Sequence, residues 1–359
     1  MGPDLKIFNY KTDLKRQRVL FLECFPENTG TPVVTEDYYL WKFHGSGRQP
    51  GSFEYIALID SEIVGYYAAI DYPYYYFGKE IKTGMVCDVM TSVKARGQGV
   101  FTTLSNFALK NLNNENLGFL TGFPIRKEVV PGHRKAGWDF PFIIPMYGKF
   151  LTLNTFLISR GFGWARYLLN PVLSLTELFV KILRRSNSSV SVEEYSSEDI
   201  DNIPGFGDLL GELQQQAAIS LKKDISFMKW RLGGPDKTYR IVLLKVGPKT
   251  VGYMIGRYLI KEKVPCFGIL DFSLLSGFEK FSSVLMRETE KIAKTMHAEL
   301  ILIMILRRYA RSYRFFRNGW IKTPYNFSFI LRKTGSETER EKLLDTNNWF
   351  LTWLNSDDL

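Results

Sequence analysis

Apolar positions along the first 140 residues switch between two spacings, and the switches mark the elements. "LKIFNY" (5–10) alternates as a short strand. "TDLKRQRVLFLECF" (12–25) repeats its apolar residues at helical spacing, with Thr12 or Asp13 as cap. "TEDYYLWKF" (35–43) reads as a second helix with a capping threonine. "FEYIALID" (53–60), "IVGYYAAIDYPYYYF" (63–77) and "KTGMVCDVMTSV" (82–93) are successive strands divided by Asp-Ser and Gly-Lys turns. A glycine turn then leads into a helix from Val100 to Leu112, a strand "GFLTGFPI" (118–125) and a helical turn "PGHRKAGWDF" (131–140). The expected order is β-α-α-β-β-β-α-β-α, a mixed α/β (α+β) sheet.

The second half repeats this pattern. "LWKFHGSGRQPGSFEYIALIDSEIVGYYAAI" and "FMKWRLGGPDKTYRIVLLKVGPKTVGYMIGRYL" share Trp plus a basic residue, a Gly/Pro turn, an apolar strand and a Val-Gly-Tyr opening the next strand. Val64-Gly65-Tyr66 and Val251-Gly252-Tyr253 lie 187 positions apart, and Gly137-Trp138 and Gly319-Trp320 lie 182 apart. Near-constant offsets with conserved order argue for an internal duplication. "RRSNSSVSVEEYSSEDIDNIPG" (184–205), poor in apolar residues, reads as the linker and entry to a second unit. The expected domains are 1–187 and 188–359, with the seam near Ser188.

With 45% hydrophobic and 23% charged residues, the 359-residue chain can bury real cores. Its formal charge of +10 suits an anionic partner such as a nucleotide-bearing cofactor, a nucleic acid or an acidic membrane surface. The basic residues are scattered and no zinc-finger, helix-turn-helix or RNP-type pattern occurs, so nucleic acid is not the expected partner. Cys24, Cys87 and Cys266 are odd in number and far apart, which gives neither a disulfide framework nor a metal spacing. Buried reduced thiols and a polar N-terminus without a signal peptide suit a cytoplasmic protein. Between Phe140 and Leu183 charges interrupt every window, so no membrane span is expected. "LLNPVLSLTELFVKILRR" allows a peripheral membrane helix, but packing on the protein's own core is the expectation.

The most informative stretch is "DVMTSVKARGQGVFTTLSNFALKNL" (88–112). Two glycines and an arginine stand where a strand becomes a helix. Glycines permit positive φ, and the first-turn amides with the helix dipole make an anion site, to which Arg96 adds charge. A plain strand-to-helix connection uses the same residues. The longer pattern Arg96-Gly97-Gln98-Gly99-Val100, between a strand and an amphipathic helix, resembles the acyl-CoA pyrophosphate loop of the GCN5-related N-acetyltransferases. The likeness extends over the element order of residues 5–140, with one departure: Phe101 stands where the family usually has Gly or Ala. The resemblance implies that Val89, Met90 and Thr91 offer backbone groups to the pantetheine arm and that acetyl-CoA or another acyl-CoA is co-substrate, without a metal. It further implies two tandem domains of this fold. In the second, Ser276-Gly277-Phe278-Glu279 replaces the loop, and its carboxylate would repel a diphosphate.

Acyl transfer to an amine needs a base, stabilisation of the thioester oxygen and reprotonation of the thiolate. Asp88, a carboxylate within an apolar strand, is the first candidate base; Glu128, in the loop after the next strand, is the second. His133, where the resemblance places a tyrosine, is the candidate proton donor. Each has an ordinary structural reading too: a satisfied strand-end aspartate, a solvated glutamate and a helix-end histidine. The aromatic run "YPYYYF" (72–77) either lines an acceptor pocket or divides between core and surface. The expected function is an acyl-CoA-dependent N-acyltransferase acting on a small amine such as an amino sugar. Two alternatives stay open: aminoacyl transfer from tRNA by a tandem protein of this fold, and a non-catalytic CoA- or partner-binding protein.

Overall fold

The computed structural model describes residues 2–183 and 190–357. The expected seam near Ser188 lies outside the described residues. The first half contributes β1 (Asp4–Ile7), α1 (Tyr10–Cys24), α2 (Glu36–His44), β2 (Ser52–Ile59), β3 (Glu62–Asp71), β4 (Tyr74–Tyr76), β5 (Lys79–Ile81), β6 (Gly84–Thr91), α3 (Val100–Leu112), β7 (Phe119–Gly122), α4 (Val130–Lys135), β8 (Asp139–Phe150), α5 (Asn154–Ser159) and α6 (Arg166–Leu183). The second contributes β9 (Val190–Ser196), α7 (Phe206–Gln214), β10 (Ile219–Leu221), α8 (Ile225–Leu232), β11 (Arg240–Val246), β12 (Lys249–Lys261), β13 (Val264–Leu274), α9 (Ser282–Thr295), β14 (Leu300–Met304), α10 (Arg307–Ser312), β15 (Ile321–Lys333), α11 (Arg340–Leu344) and β16 (Trp349–Phe350).

Twelve strands form one mixed sheet in the order β1-β2-β3-β6-β7-β15-β8-β14-β13-β12-β11-β9. Read from either edge inward, the halves present the same succession: an antiparallel run, one parallel pair (β6–β7, β13–β14), then a long strand from the other half. β15 pairs with β7, and β8 pairs with β14, so each half's last long strand completes its partner's sheet. A four-stranded sheet, β16-β10-β4-β5, joins the halves a second time. Trp41 and Trp230, from the two "Trp plus basic" dipeptides, meet between them. Each indole N–H donates to the other's main-chain carbonyl at 2.7 Å.

Several sequence expectations shift in register. Helix α1 begins at Tyr10 and is capped by Asn9, whose side chain accepts from Lys11 N–H at 3.1 Å; the Asp13 carboxylate turns back to accept from Asn9 N–H. The strand expected over 63–77 divides at Tyr72-Pro73 into β3 and β4, which belong to different sheets. Residues 190–196, expected in a linker, form β9 against β11. Of the segment 168–185, expected to pack on the core, the described residues Leu168, Leu169, Val172 and Leu175 are exposed. Among the described residues no helix is long and apolar enough to cross a membrane. All three cysteines are buried and unpaired.

Candidate active site

β6 and β7 run parallel only from Gly84–Val86 against Leu120–Gly122, and then they part. The cause lies on the other side of β6. Tyr66 pairs with Met90 and Ala68 with Cys87, so Asp88 and Val89 together face Tyr67 in a β-bulge. Asp88 adopts φ +47°, in the left-handed region that aspartate tolerates better than branched residues. The bulge bends β6 from its neighbour and turns the Asp88 carboxylate into the fork.

A cavity of about 410 Å³ occupies this fork, within the range of small-molecule sites. Cys87, Asp88 and Val89 form one wall, Phe123, Pro124 and Ile125 the other. Helices α1 and α2 roof it with Arg18, Phe21, Tyr38, Tyr39 and Lys42.

Lys42 Nζ lies 2.9 Å from Asp88 Oδ1 and 2.8 Å from Asp357 Oδ2. Burial works to lower the Lys42 pKa, but Asp357 and Asp88 outweigh it and hold the ammonium well above its ordinary range. Burial likewise works to raise Asp357, and Lys42 outweighs it, so that carboxyl stays low. Arg231 also acts on Asp357, so two buried cations, Lys42 and Arg231, face the two carboxylates of the cluster. Cys87 Sγ and one oxygen each of Asp88 and Asp357 lie within 4.8 Å of one another. The cluster already holds its cation in Lys42, and burial pushes the Cys87 thiol up, towards the protonated form.

Asp357 arrives from the far end of the chain. Trp349, Trp353 and Leu354 are fully buried, which fixes the tail. Tyr72 Oη donates to Leu354 O at 2.9 Å, and Asn355 Nδ2 donates to Tyr74 Oη at 2.9 Å. The aromatic run is therefore mostly a dock for the tail. Arg231, the basic residue beside Trp230, donates to Ser356 O at 2.9 Å, while Lys42, beside Trp41, holds Asp357. The repeated dipeptide thus clamps consecutive tail residues from both sides.

Beyond the bulge, β6 ends at Thr91 and the chain turns through Arg96–Gly99 into α3. Glu23 fixes this turn by accepting from Ser92 Oγ at 2.8 Å and Val93 N–H at 2.7 Å. Gly97 and Gly99 have φ of +78° and +79°, and a Cβ on either would meet open space. Glycine is required there for conformation, not for room. The first bond into α3 is Thr103 N–H to Gly99 O; Arg96 and Gln98 N–H bond back to Val93 O and Ala95 O at 3.4 Å, and the amides from Gly99 to Thr102 are the ones left open at the positive end of the helix. Arg96 is exposed, with its Nε 3.5 Å from Thr91 O. Phe101 turns away from the loop. Its ring packs edge-on against His133 at 5.5 Å and fills the space over Gly132.

The structure therefore brings Asp88, Val89 and His133 to one cavity, with Met90 and Thr91 continuing towards the loop. Glu128 is exposed in the turn before α4 and does not line the cavity. His133 is buried between the Phe101 and Trp138 rings, and burial lowers its pKa to about 4. Sequence reasoning missed Lys42, Arg18 and Asp357. Only the acidic "NSDDL" end and the Trp-Lys dipeptide hinted at two of them.

In the second half the corresponding corner is closed. A cavity of only about 70 Å³ lies there, lined by Ser276 and Glu279. Ser276 Oγ donates to Gln216 Oε1 at 3.0 Å, and Ser282, at the helix start, donates to Tyr313 O.

Residues 11–141 match the family model of the acetyltransferase (GNAT) domain. No curated protein matches the chain. Among solved structures, the chain is similar to an Enterococcus faecalis protein of unknown function described as a probable N-acyltransferase. That match has 12% identity and a TM-score of 0.63, covering 93% of this chain and 73% of that one. It is also similar to a GCN5-related N-acetyltransferase from Anabaena variabilis, with 12% identity, TM-score 0.64, and 92% and 73% of the two chains covered. A third such protein, from Kribbella flavida, has 14% identity, TM-score 0.57, and coverage of 92% and 71%. At these identities the likeness is one of fold. It takes in both halves of the chain, beyond the segment that the family model matches.

Proposed function

We propose that the protein is an acyl-CoA-dependent N-acyltransferase, with acetyl-CoA as the first co-substrate to test and a small amine as acceptor. One observation carries the reading. The forked β6–β7 cavity, with its acidic cluster, lies on the same strand that leads into a loop of outward amides beside Arg96. The amides and guanidinium suit a diphosphate, the open arm of β6 suits the pantetheine, and the cavity suits the thioester with an amine.

In this reading Asp88 takes the proton of the incoming ammonium, with Lys42 and Asp357 holding it in place. The amine nitrogen bonds to the acyl carbon as the carbon–sulfur bond breaks, its second proton passes to water, the thiolate takes a proton from solvent, and Asp88 then gives up its proton to solvent, which leaves one proton released overall. His133 is neutral at pH 7 and serves as a wall of the channel, with proton return left to water. The second half, read as a diverged copy, supplies structure and the tail carrying Asp357 rather than a second cofactor site. An amino sugar is one acceptor among the small amines that fit.

The test is calorimetric titration and thermal shift with acetyl-CoA and longer thioesters. Saturation at 100 times Kd stabilises a protein by about 2.7 kcal/mol. Arg96→Ala is expected to weaken binding about tenfold, the effect of losing one charge-assisted contact. Asp88→Asn is expected to bind acetyl-CoA normally and release thiol far more slowly. If no thioester binds the wild type, the assignment is wrong.

A further inference from the structure

Arg18 stands apart from the other charges of the cavity. It is 8% exposed, and its neighbours Phe21, Val33 and Tyr39 all line the same space. Its Nε donates to Gln17 Oε1 at 2.6 Å and its Nη1 to Val33 O at 3.3 Å, both neutral acceptors. The guanidinium carbon lies 4.6 Å from the Phe21 ring centre and 5.4 Å from that of Tyr39. Nη2 has no hydrogen-bond partner, and among the described residues no carboxylate lies within ion-pair distance of Arg18.

A buried guanidinium cannot shed its charge, unlike a buried lysine or carboxyl. Ring faces and neutral oxygens offset only part of the desolvation, so an anion brought into the cavity gains from the charge left over. The other cation of the roof, Lys42, is already outnumbered by its two carboxylates, and Arg126 is paired with Glu27 at 2.8 Å. The cavity is therefore lined by an uncompensated guanidinium at Arg18 and, apart from it, by the carboxylates of Asp88 and Asp357.

We infer that the acceptor is an amine that also carries a carboxylate, with the carboxylate received at Arg18 and the ammonium drawn to Asp88 and Asp357. This rests on the transferase reading above and narrows its substrate class. The reaction balances as ammonium acceptor plus acyl-CoA giving the amide, free CoA thiol and one released proton.

The experiment measures thiol release from acetyl-CoA by the full chain with matched acceptor pairs: glycine and methylamine, lysine and cadaverine, muramic acid and glucosamine. The carboxylate-bearing member is expected to show a kcat/KM at least tenfold higher in one or more pairs. Arg18→Met is expected to erase that preference through KM while leaving acetyl-CoA affinity within twofold, and Arg18→Lys to keep part of it. Equal or better use of the carboxylate-free members by the wild type overturns the inference, whatever the variants do. Acetyl-CoA binding without thiol release from any carboxylate-bearing amine overturns it as well. Failure of acetyl-CoA to bind, read separately by calorimetry, removes the transferase reading itself.

Discussion

At the scale of single residues, charge and burial decide most of the site. His133 shows this with a sign that can be checked. Its folded pKa of about 4 lies below the ordinary 6.5, because burial between rings disfavours the imidazolium. The unfolded chain therefore binds the extra proton first. The stabilising contribution is complete above pH 6.5 and is lost as pH falls towards 4. A shift of that size corresponds to about 3 kcal/mol at most. Thermal melts of the wild type should fall steeply between pH 6.5 and 4, and His133→Gln should flatten that part of the profile. Parallel profiles for the two proteins would show that the imidazole is not held neutral. Asp88 was legible from sequence as a carboxylate within an apolar strand, and His133 only as the residue standing where the resemblance places a tyrosine. Their partners were not. Lys42 meets Asp357 across 315 positions, and no local pattern encodes such a pairing.

At the scale of elements, the pattern of apolar spacing was most reliable where one face meets one core. Helix α3 spans Val100–Leu112 as the sequence indicates, because Val100, Leu104, Ala108 and Leu112 form a single buried stripe. It failed where an element serves two neighbours. The tyrosines of 72–76 continue the alternation of β3, yet Pro73 carries no N–H for a ladder and the chain passes to the other sheet. Phe101, which departs from the resembled loop, is explained by the contact of α3 with α4. Its ring fills the place where any residue but glycine at 132 would put a Cβ. Gly132→Ala should therefore destabilise the protein by about 1–3 kcal/mol through overpacking, despite the better helix propensity of alanine. Adding Phe101→Ala should recover part of that loss in a double-mutant cycle. Additive effects, read from urea melts, would show that the two positions do not touch.

At the scale of the whole molecule, the repeat seen in the sequence suggests two units joined by a linker, but the strands interlock. β8 leaves the first half to pair with β14, and β15 leaves the second to pair with β7. Removing either half strips a neighbour from the other's parallel strand and exposes the ladder groups of a central position. Removing the first half also takes Tyr74 and Phe119 from the faces of Trp349, a ring that buries on the order of 200 Å² when packed. At ~25 cal/mol per Å² the whole ring is worth about 5 kcal/mol, and the part covered by the first half is lost with it. Fragments 1–187 and 188–359 expressed separately should each fail to give a cooperative, monomeric melt. Co-expression should return a complex with the melting behaviour of the intact chain. The acidic cluster imposes a second requirement, since the fork lies in the first fragment and Asp357 in the second. A soluble 1–187 fragment that melts cooperatively alone would show that β15 and the tail only decorate a unit already complete. If that fragment also released thiol at the intact rate, the clamp that Lys42 and Arg231 place on the tail would have no part in catalysis.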